Sequence, residues 1–141
     1  MTYREAINLG EKVLNMADVA DAKIDAWLLL EMVCKIDRSF YYLHMEDEVA
    51  EEQLSEYEIA LRKRAEHVPL QYIVGEAEFM GLKFKVNSNV LIPRQDTETL
   101  VEEALKVVKP GMKVLDLCTG SGCIIVSIVH NVPEVEGTAT D

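Results

Sequence analysis

The sequence predicts an α+β protein, and three observations carry that expectation. Apolar residues recur at helical spacing through the first half, one run near the middle alternates strictly, and residues 113–141 read as strand, glycine loop, helix and strand. The organisation expected is a helical bundle over 1–69, a β-hairpin linker over 70–93, and the start of an α/β domain over 94–141. Apolar residues make up 49% of the 141 and charged residues 28%, a composition that excludes intrinsic disorder.

Thr2 with Glu5 three residues on makes a capping box, and the helix it opens runs to about Met16. Ala6, Ile7, Gly10, Val13, Leu14 and Ala17 form its inward stripe. Asp21 caps a second helix in which Ile24, Leu28, Met32 and Ile36 make one stripe, widened by Leu29 and Val33; Trp27 belongs to the core or to the bundle surface. Ser39 opens a short third helix. Between Glu46 and Glu58 stand seven acids and no base, the pattern of a solvated helix face, with Leu54, Tyr57, Leu61 and Ala65 on its buried side. Pro69 follows the end of that helix.

At Leu70 the pattern changes. Leu82-Lys83-Phe84-Lys85-Val86 alternates as a strand with one buried face does, and Met80-Gly81 joins it to Glu78-Phe79 as a two-residue hairpin turn. Gln71 and Tyr72 are assigned to packing of that hairpin. Val90-Leu91-Ile92 extends until Pro93, and Thr97 to Val108 is helical with Leu100, Val101, Ala104, Leu105 and Val108 on one face. Arg94, Asp96 and Thr97 supply turn and capping chemistry at its start.

Lys113–Leu117 reads as a buried strand, Cys118–Gly122 as a glycine loop, Cys123–His130 as an apolar helix in which Cys123 packs, and Gly137–Thr140 as a second strand ending in Asp141. Such a unit binds ligands beyond the carboxyl ends of its strands. A dinucleotide fingerprint needs a third glycine where Ile125 stands, and no Gly-Lys-Ser/Thr follows for a P-loop. Asp116 in the first strand, a loop of small residues and Asp141 after the second suit S-adenosylmethionine, which carries a cationic sulfonium, an amino-acid end and a ribose but no phosphate. Asp141 would accept from the ribose hydroxyls, and Gly120 and Gly122 would admit the ligand against the backbone. Spacing alone leaves a nucleotide site and a purely structural turn open. The cofactor-binding candidates are Asp116, Cys118, Thr119, Gly120, Ser121, Gly122 and Asp141.

Four stretches taken together are specific: Glu66-His67-Val68-Pro69-Leu70-Gln71-Tyr72-Ile73-Val74-Gly75, Glu78-Phe79-Met80-Gly81-Leu82-Lys83-Phe84, Val90-Leu91-Ile92-Pro93-Arg94-Gln95-Asp96-Thr97-Glu98, and Asp116 to Gly122. In that order they resemble the release-factor glutamine methyltransferases. The resemblance implies a helical domain that helps dock a release factor, a hairpin, and the truncated start of a Rossmann-like S-adenosylmethionine methyltransferase domain. It implies methyl transfer to the side-chain amide of the glutamine in the Gly-Gly-Gln motif of peptide-chain release factors, a role in translation termination. It also places Arg94 and Thr97 beside the cofactor. The chain departs from the family at Cys118, where glycine is usual. The family's catalytic Asn-Pro-Pro-Tyr lies downstream of the second strand and has no counterpart here, so no catalytic residue is assigned. The asparagine and a proline carbonyl of that motif place the amide in line with the methyl, which is positioning chemistry. A βαβ unit takes ~30 residues and 25 follow Asp116, so the chain is expected to be the amino-terminal portion of a larger enzyme and inactive alone.

The net charge of −11 opposes nucleic acid as a direct partner. It likewise disfavours an adenine-N6 nucleic-acid methyltransferase, one of two rival readings; the other is a non-enzymatic helical interaction module. No apolar run reaches the ~18 residues of a membrane span. Cys34, Cys118 and Cys123 are too scattered for a disulfide framework or a zinc site, and His44, His67 and His130 have no metal-ligand spacing. A reducing, cytoplasmic location fits this cysteine usage.

Overall fold

A computed structural model describes all 141 residues. The chain forms two compact units, Met1–Val74 and Gly75–Asp141. The first is helical: α1 (Tyr3–Met16), α2 (Ala22–Cys34), α3 (Arg38–His44), α4 (Glu51–Ala65) and α5 (Leu70–Val74).

The capping box at the start of α1 is closed both ways. Thr2 Oγ1 accepts from the Glu5 N–H at 3.2 Å, and the Glu5 carboxylate accepts from the Thr2 N–H at 2.8 Å. Tyr3, Ala6, Gly10 and Leu14 are buried at helical spacing. The helix stops because Asp18 turns left-handed, at φ 55°, and the Val19 N–H returns to the Leu14 carbonyl at 3.0 Å. Gly10 is where three helices meet: a side chain there would strike the hydroxyl of Tyr57 on α4 and come within 3.1 Å of Ala26 Cβ on α2. Tyr57 is fully buried, and its hydroxyl donates to the Ala26 carbonyl at 3.1 Å.

The stripe expected on α2 is rotated. Ile24 is 56% exposed, while Ala22, Ala26, Leu29, Leu30 and Cys34 are buried and Leu28, Met32 and Val33 only partly so. Apolar residues lie on most sides of this helix, so periodicity alone picks no unique face. Two things fix the rotation: alanines that allow close approach to α1 and α4, and buried Asp25, whose carboxylate accepts from Arg64 Nε of α4 at 2.6 Å. Arg64 also donates to the Val68 carbonyl at 3.2 Å. The side chain of Asp21 makes no capping bond. The third helix is capped by Asp37, which accepts from the Phe40 N–H at 2.7 Å, so Ser39 lies inside it. Trp27 is buried, edge-on to Tyr41 at 5.4 Å with the Arg38 guanidinium 4.0 Å above its ring. The acids of α4 face solvent as expected, and Tyr57, Ala60 and Leu61 face inward. Pro69 opens α5 rather than closing the bundle, its carbonyl accepting from the Tyr72 N–H at 3.0 Å. Leu70, Ile73 and Val74 pack on the helical core, so Gln71 and Tyr72 belong to a helix of this unit and not to the hairpin.

The second unit begins with the antiparallel hairpin β1 (Glu76–Phe79) and β2 (Leu82–Lys85), in the register Phe79 opposite Leu82. Met80 and Gly81 both have positive φ, 50° and 72°, as the type I′ turn demands. Ala77, Phe79 and Phe84 point inward while Lys83 and Lys85 point out. Residues 90–92 are not a strand: the Val90 N–H returns to the Asn87 carbonyl at 3.2 Å in a turn, and 91–94 join no ladder. A turn of Asn-Ser-Asn before, and a proline without an N–H after, leave no length for pairing. A single 3₁₀ turn (Gln95–Thr97) leads into α6 (Glu98–Val107), and the Glu98 carboxylate accepts from the Met80 N–H at 2.7 Å. Of the face expected on α6, Val101 is buried and Ala104, Leu105 and Val108 half-buried, but Leu100 is 56% exposed.

β3 (Lys113–Leu117), α7 (Cys123–Asn131) and β4 (Glu136–Thr140) complete the unit, the two strands pairing in parallel from Lys113 opposite Glu136 to Leu117 opposite Thr140. β3 is not the buried strand expected. Val114 and Asp116 are partly covered, whereas Leu115 and Leu117 are 59% and 65% exposed, because α7 lies against one face only. The core of the unit is Phe79, Phe84, Val101, Cys123, Ile128 and Val135. α7 rests directly on the backbone of β4, since a Cβ at Gly137 would come within 2.7 Å of Val129 and 3.1 Å of Ile125. The close helix-to-strand approach that a third loop glycine provides in dinucleotide sites is thus reached here from the strand side, with Ile125 in place.

Candidate functional site

The carboxyl ends of β3 and β4 converge on the loop Cys118–Gly122, and hydrogen bonds fix the loop at each step. Thr119 Oγ1 donates to Asp116 Oδ2 at 2.8 Å. The Thr119 N–H donates to the Thr140 carbonyl at 3.1 Å, so the loop continues the parallel ladder by one bond. The Gly120 N–H donates to Asp141 Oδ1 at 3.2 Å, and the Gly122 N–H to the Thr119 carbonyl at 2.9 Å. Gly120 and Gly122 have φ of 54° and 78°, and Gly122 caps α7.

Cys118 takes φ 60°, the left-handed region where glycine is at ease and a thiol-bearing residue is not. That conformation gives a physical reason for a preference for glycine at this position. The side chain is exposed, unlike those of Cys34 and Cys123.

Beside the loop lies a cavity of about 240 Å³. Of the residues singled out in the sequence, Arg94, Thr97, Cys118, Thr119, Gly120 and Ser121 line it. Asp116 and Asp141 stand at the strand ends and Gly122 at the helix start; none of the three lines the cavity. The rest of the wall is Leu91, Ile92 and Pro93 with Cys123 and Ile124, which sequence reasoning had not placed there. A signal existed for the first three: an apolar run broken by proline, directly before Arg94, that found no strand partner. Arg94 is the single charged side chain of the lining, and it pairs with Asp96 at 2.7 Å, both largely exposed.

Chemically, the site offers two carboxylates about an open loop. Asp116 Oδ2 and Asp141 Oδ1 are engaged by the loop, which leaves the second oxygen of each to accept from a ligand. A Cβ at Gly120 would meet nothing within 4 Å, so ligand atoms can reach its backbone. This donor set suits a cation with hydroxyl groups better than a phosphate. No group of His, Cys, Asp and Glu side chains could hold a metal ion. No helix is long and apolar enough to cross a membrane.

The fold and site define a class: a helical unit followed by an α+β unit whose parallel strands present a glycine loop between two acids. Comparison with known proteins narrows it. Residues 5–75 match the model of the PrmC N-terminal domain. Proteins named release factor glutamine methyltransferase match along the whole chain: that of Clostridium acetobutylicum is 42% identical, that of Moorella thermoacetica 38% and that of Koribacter versatilis 36%, each over 143 aligned residues. The chain spans about half the length of these relatives, 50–51%. It belongs to the release factor glutamine methyltransferase family.

Proposed function

We propose that this chain forms the substrate-docking unit and the beginning of a Rossmann-like cofactor domain in an S-adenosylmethionine-dependent enzyme. That enzyme methylates the side-chain amide of the glutamine in the Gly-Gly-Gln motif of peptide-chain release factors and serves translation termination in the cytoplasm. The observation that carries the reading is the match of all 141 residues to proteins of that name, with the loop hydrogen-bonded between Asp116 and Asp141 where such a cofactor would lie.

S-adenosylmethionine supplies a methyl group on a sulfonium. Toward it, Asp141 would accept from the ribose hydroxyls, Asp116 would face the ammonium of the amino-acid end, and Arg94 would answer the carboxylate. Thr97 and Ser121 add hydroxyls to the cavity wall, and Gly120 and Gly122 keep the approach to the loop backbone open. The residues that orient the substrate amide are not among the 141, so the chain by itself binds and positions without transferring.

Calorimetry with S-adenosylhomocysteine tests the site. Asp141→Ala should weaken binding by ~1–3 kcal/mol, the cost of leaving buried hydroxyls without an acceptor, and Gly120→Val at least as much. Unchanged affinity in both would remove the loop from the site. Incubation with labelled S-adenosylmethionine and an unmodified release factor should leave the release factor unlabelled; stoichiometric label on its glutamine would overturn this division of labour.

A further inference from the structure

One acid of the site lies in β3 and the other directly follows β4, and Thr119 with its neighbour Gly120 ties the two together. Thr119 Oγ1 donates to Asp116 Oδ2 at 2.8 Å, its N–H donates to the carbonyl of Thr140 at 3.1 Å, and its own carbonyl accepts from the Gly122 N–H at 2.9 Å. The second contact fixes the peptide that carries Asp141, whose carboxylate the next loop amide, Gly120 N–H, takes at 3.2 Å. The side chain of Thr119 therefore reaches one acid, and its backbone reaches the peptide that carries the other.

We infer that Thr119 is the positioning residue of the cofactor site, its hydroxyl setting the Asp116 carboxylate toward the ligand's ammonium and its backbone setting Asp141 toward the ribose. This rests on the adenosylmethionine reading above. The two roles separate cleanly, because a substitution can remove the hydroxyl and keep the backbone. Thr119→Val retains the β-branched shape and both main-chain bonds; it frees Asp116 and leaves Asp141 held. The perturbation is then felt by the amino-acid end of a ligand and not by its nucleoside end.

Two ligands tell those ends apart: S-adenosylhomocysteine has the ammonium, and 5′-methylthioadenosine has the ribose and adenine without it. In calorimetry on the 141-residue chain, Thr119→Val should bind S-adenosylhomocysteine about tenfold more weakly, the size of one hydrogen bond to a charged group, and 5′-methylthioadenosine as the unaltered chain does. Thr119→Ser, which keeps the hydroxyl, should restore S-adenosylhomocysteine binding to within about twofold. An equal loss for both ligands, or no rescue by serine, would make Thr119 a structural part of the loop and overturn the inference alone. No effect of valine on either ligand would do the same. Failure of the unaltered chain to bind either ligand would instead bring down the adenosylmethionine reading, and this inference with it.

Discussion

Alanine at Gly10 makes a sharp test of the helical unit, because two physical effects oppose each other there. By helix propensity alone Gly10→Ala should stabilise α1 by ~1 kcal/mol. The structure sets against this a methyl group directed at the buried hydroxyl of Tyr57, with Ala26 Cβ 3.1 Å away on the other side. The three nearest atoms all belong to side chains, two of them to Tyr57, so Tyr57 has to move, and its hydroxyl leaves the Ala26 carbonyl that now accepts from it at 3.1 Å. Overpacking costs ~1–3 kcal/mol, and a buried hydroxyl without a partner costs about as much again. The net expectation is a loss of about 1–5 kcal/mol after the propensity gain is subtracted. Trp27 is the sole tryptophan and is buried in this unit, so its fluorescence in urea reads the unit's unfolding directly. A second variant isolates the cause. Tyr57→Phe removes the hydroxyl and leaves the ring Cζ 3.1 Å from the added methyl, which eases the clash, so a coupling of ~1–2 kcal/mol between the two positions is expected. A stabilised Gly10→Ala, or two substitutions that simply add, would refute the reasoning.

Replacing Cys118 with glycine should stabilise the second unit by ~0.5–1 kcal/mol, since φ 60° strains any residue with a Cβ; slower hydrogen exchange at Val114–Leu117 is the readout, and faster exchange would contradict it. The helical unit should also lose stability at high pH. Burial, reinforced by Cys34, raises the pKa of Tyr57 well above its usual value. The unfolded chain therefore releases that proton first, and stability present below pH ~10 falls as pH rises above it, by up to ~1.4 kcal/mol per pH unit. Urea titrations between pH 8 and pH 11 should show this decline, shallower in Tyr57→Phe; an identical slope in the two would assign the effect elsewhere.

What could be read from the sequence was what local chemistry decides. Thr2 and Glu5 close their box through atoms three residues apart, and Met80-Gly81 sets the hairpin register by turn geometry alone. The loop from Cys118 to Gly122 was visible because left-handed backbone and an acid at the strand end leave traces in residue type. Two caps failed locally, Asp21 making no capping bond and Asp37 taking the place expected of Ser39; the larger failures are tertiary. Nothing in the spacing of α2 says that Asp25 will be drawn inward by Arg64, 39 residues away, turning Ile24 out. Nothing in Leu115 and Leu117 says that only one side of β3 is covered. Val90, Leu91 and Ile92 looked like a strand because a short apolar run reads as one; Leu91 and Ile92, with Pro93, form a cavity wall because the preceding asparagines turn the chain.

The bond from Thr119 to Thr140 joins the glycine loop to the pairing of β3 with β4, and so makes them one equilibrium. A molecule held by both Asp116 and Asp141 can bind only when the strand ends are side by side, and mass action then acts as a clasp on the sheet. At a concentration one hundred times its dissociation constant such a ligand adds ~2.7 kcal/mol to the paired state, a large supplement for five residues of ladder lying under a single helix. A ligand held there would also be a term in how much of this unit is folded at any moment.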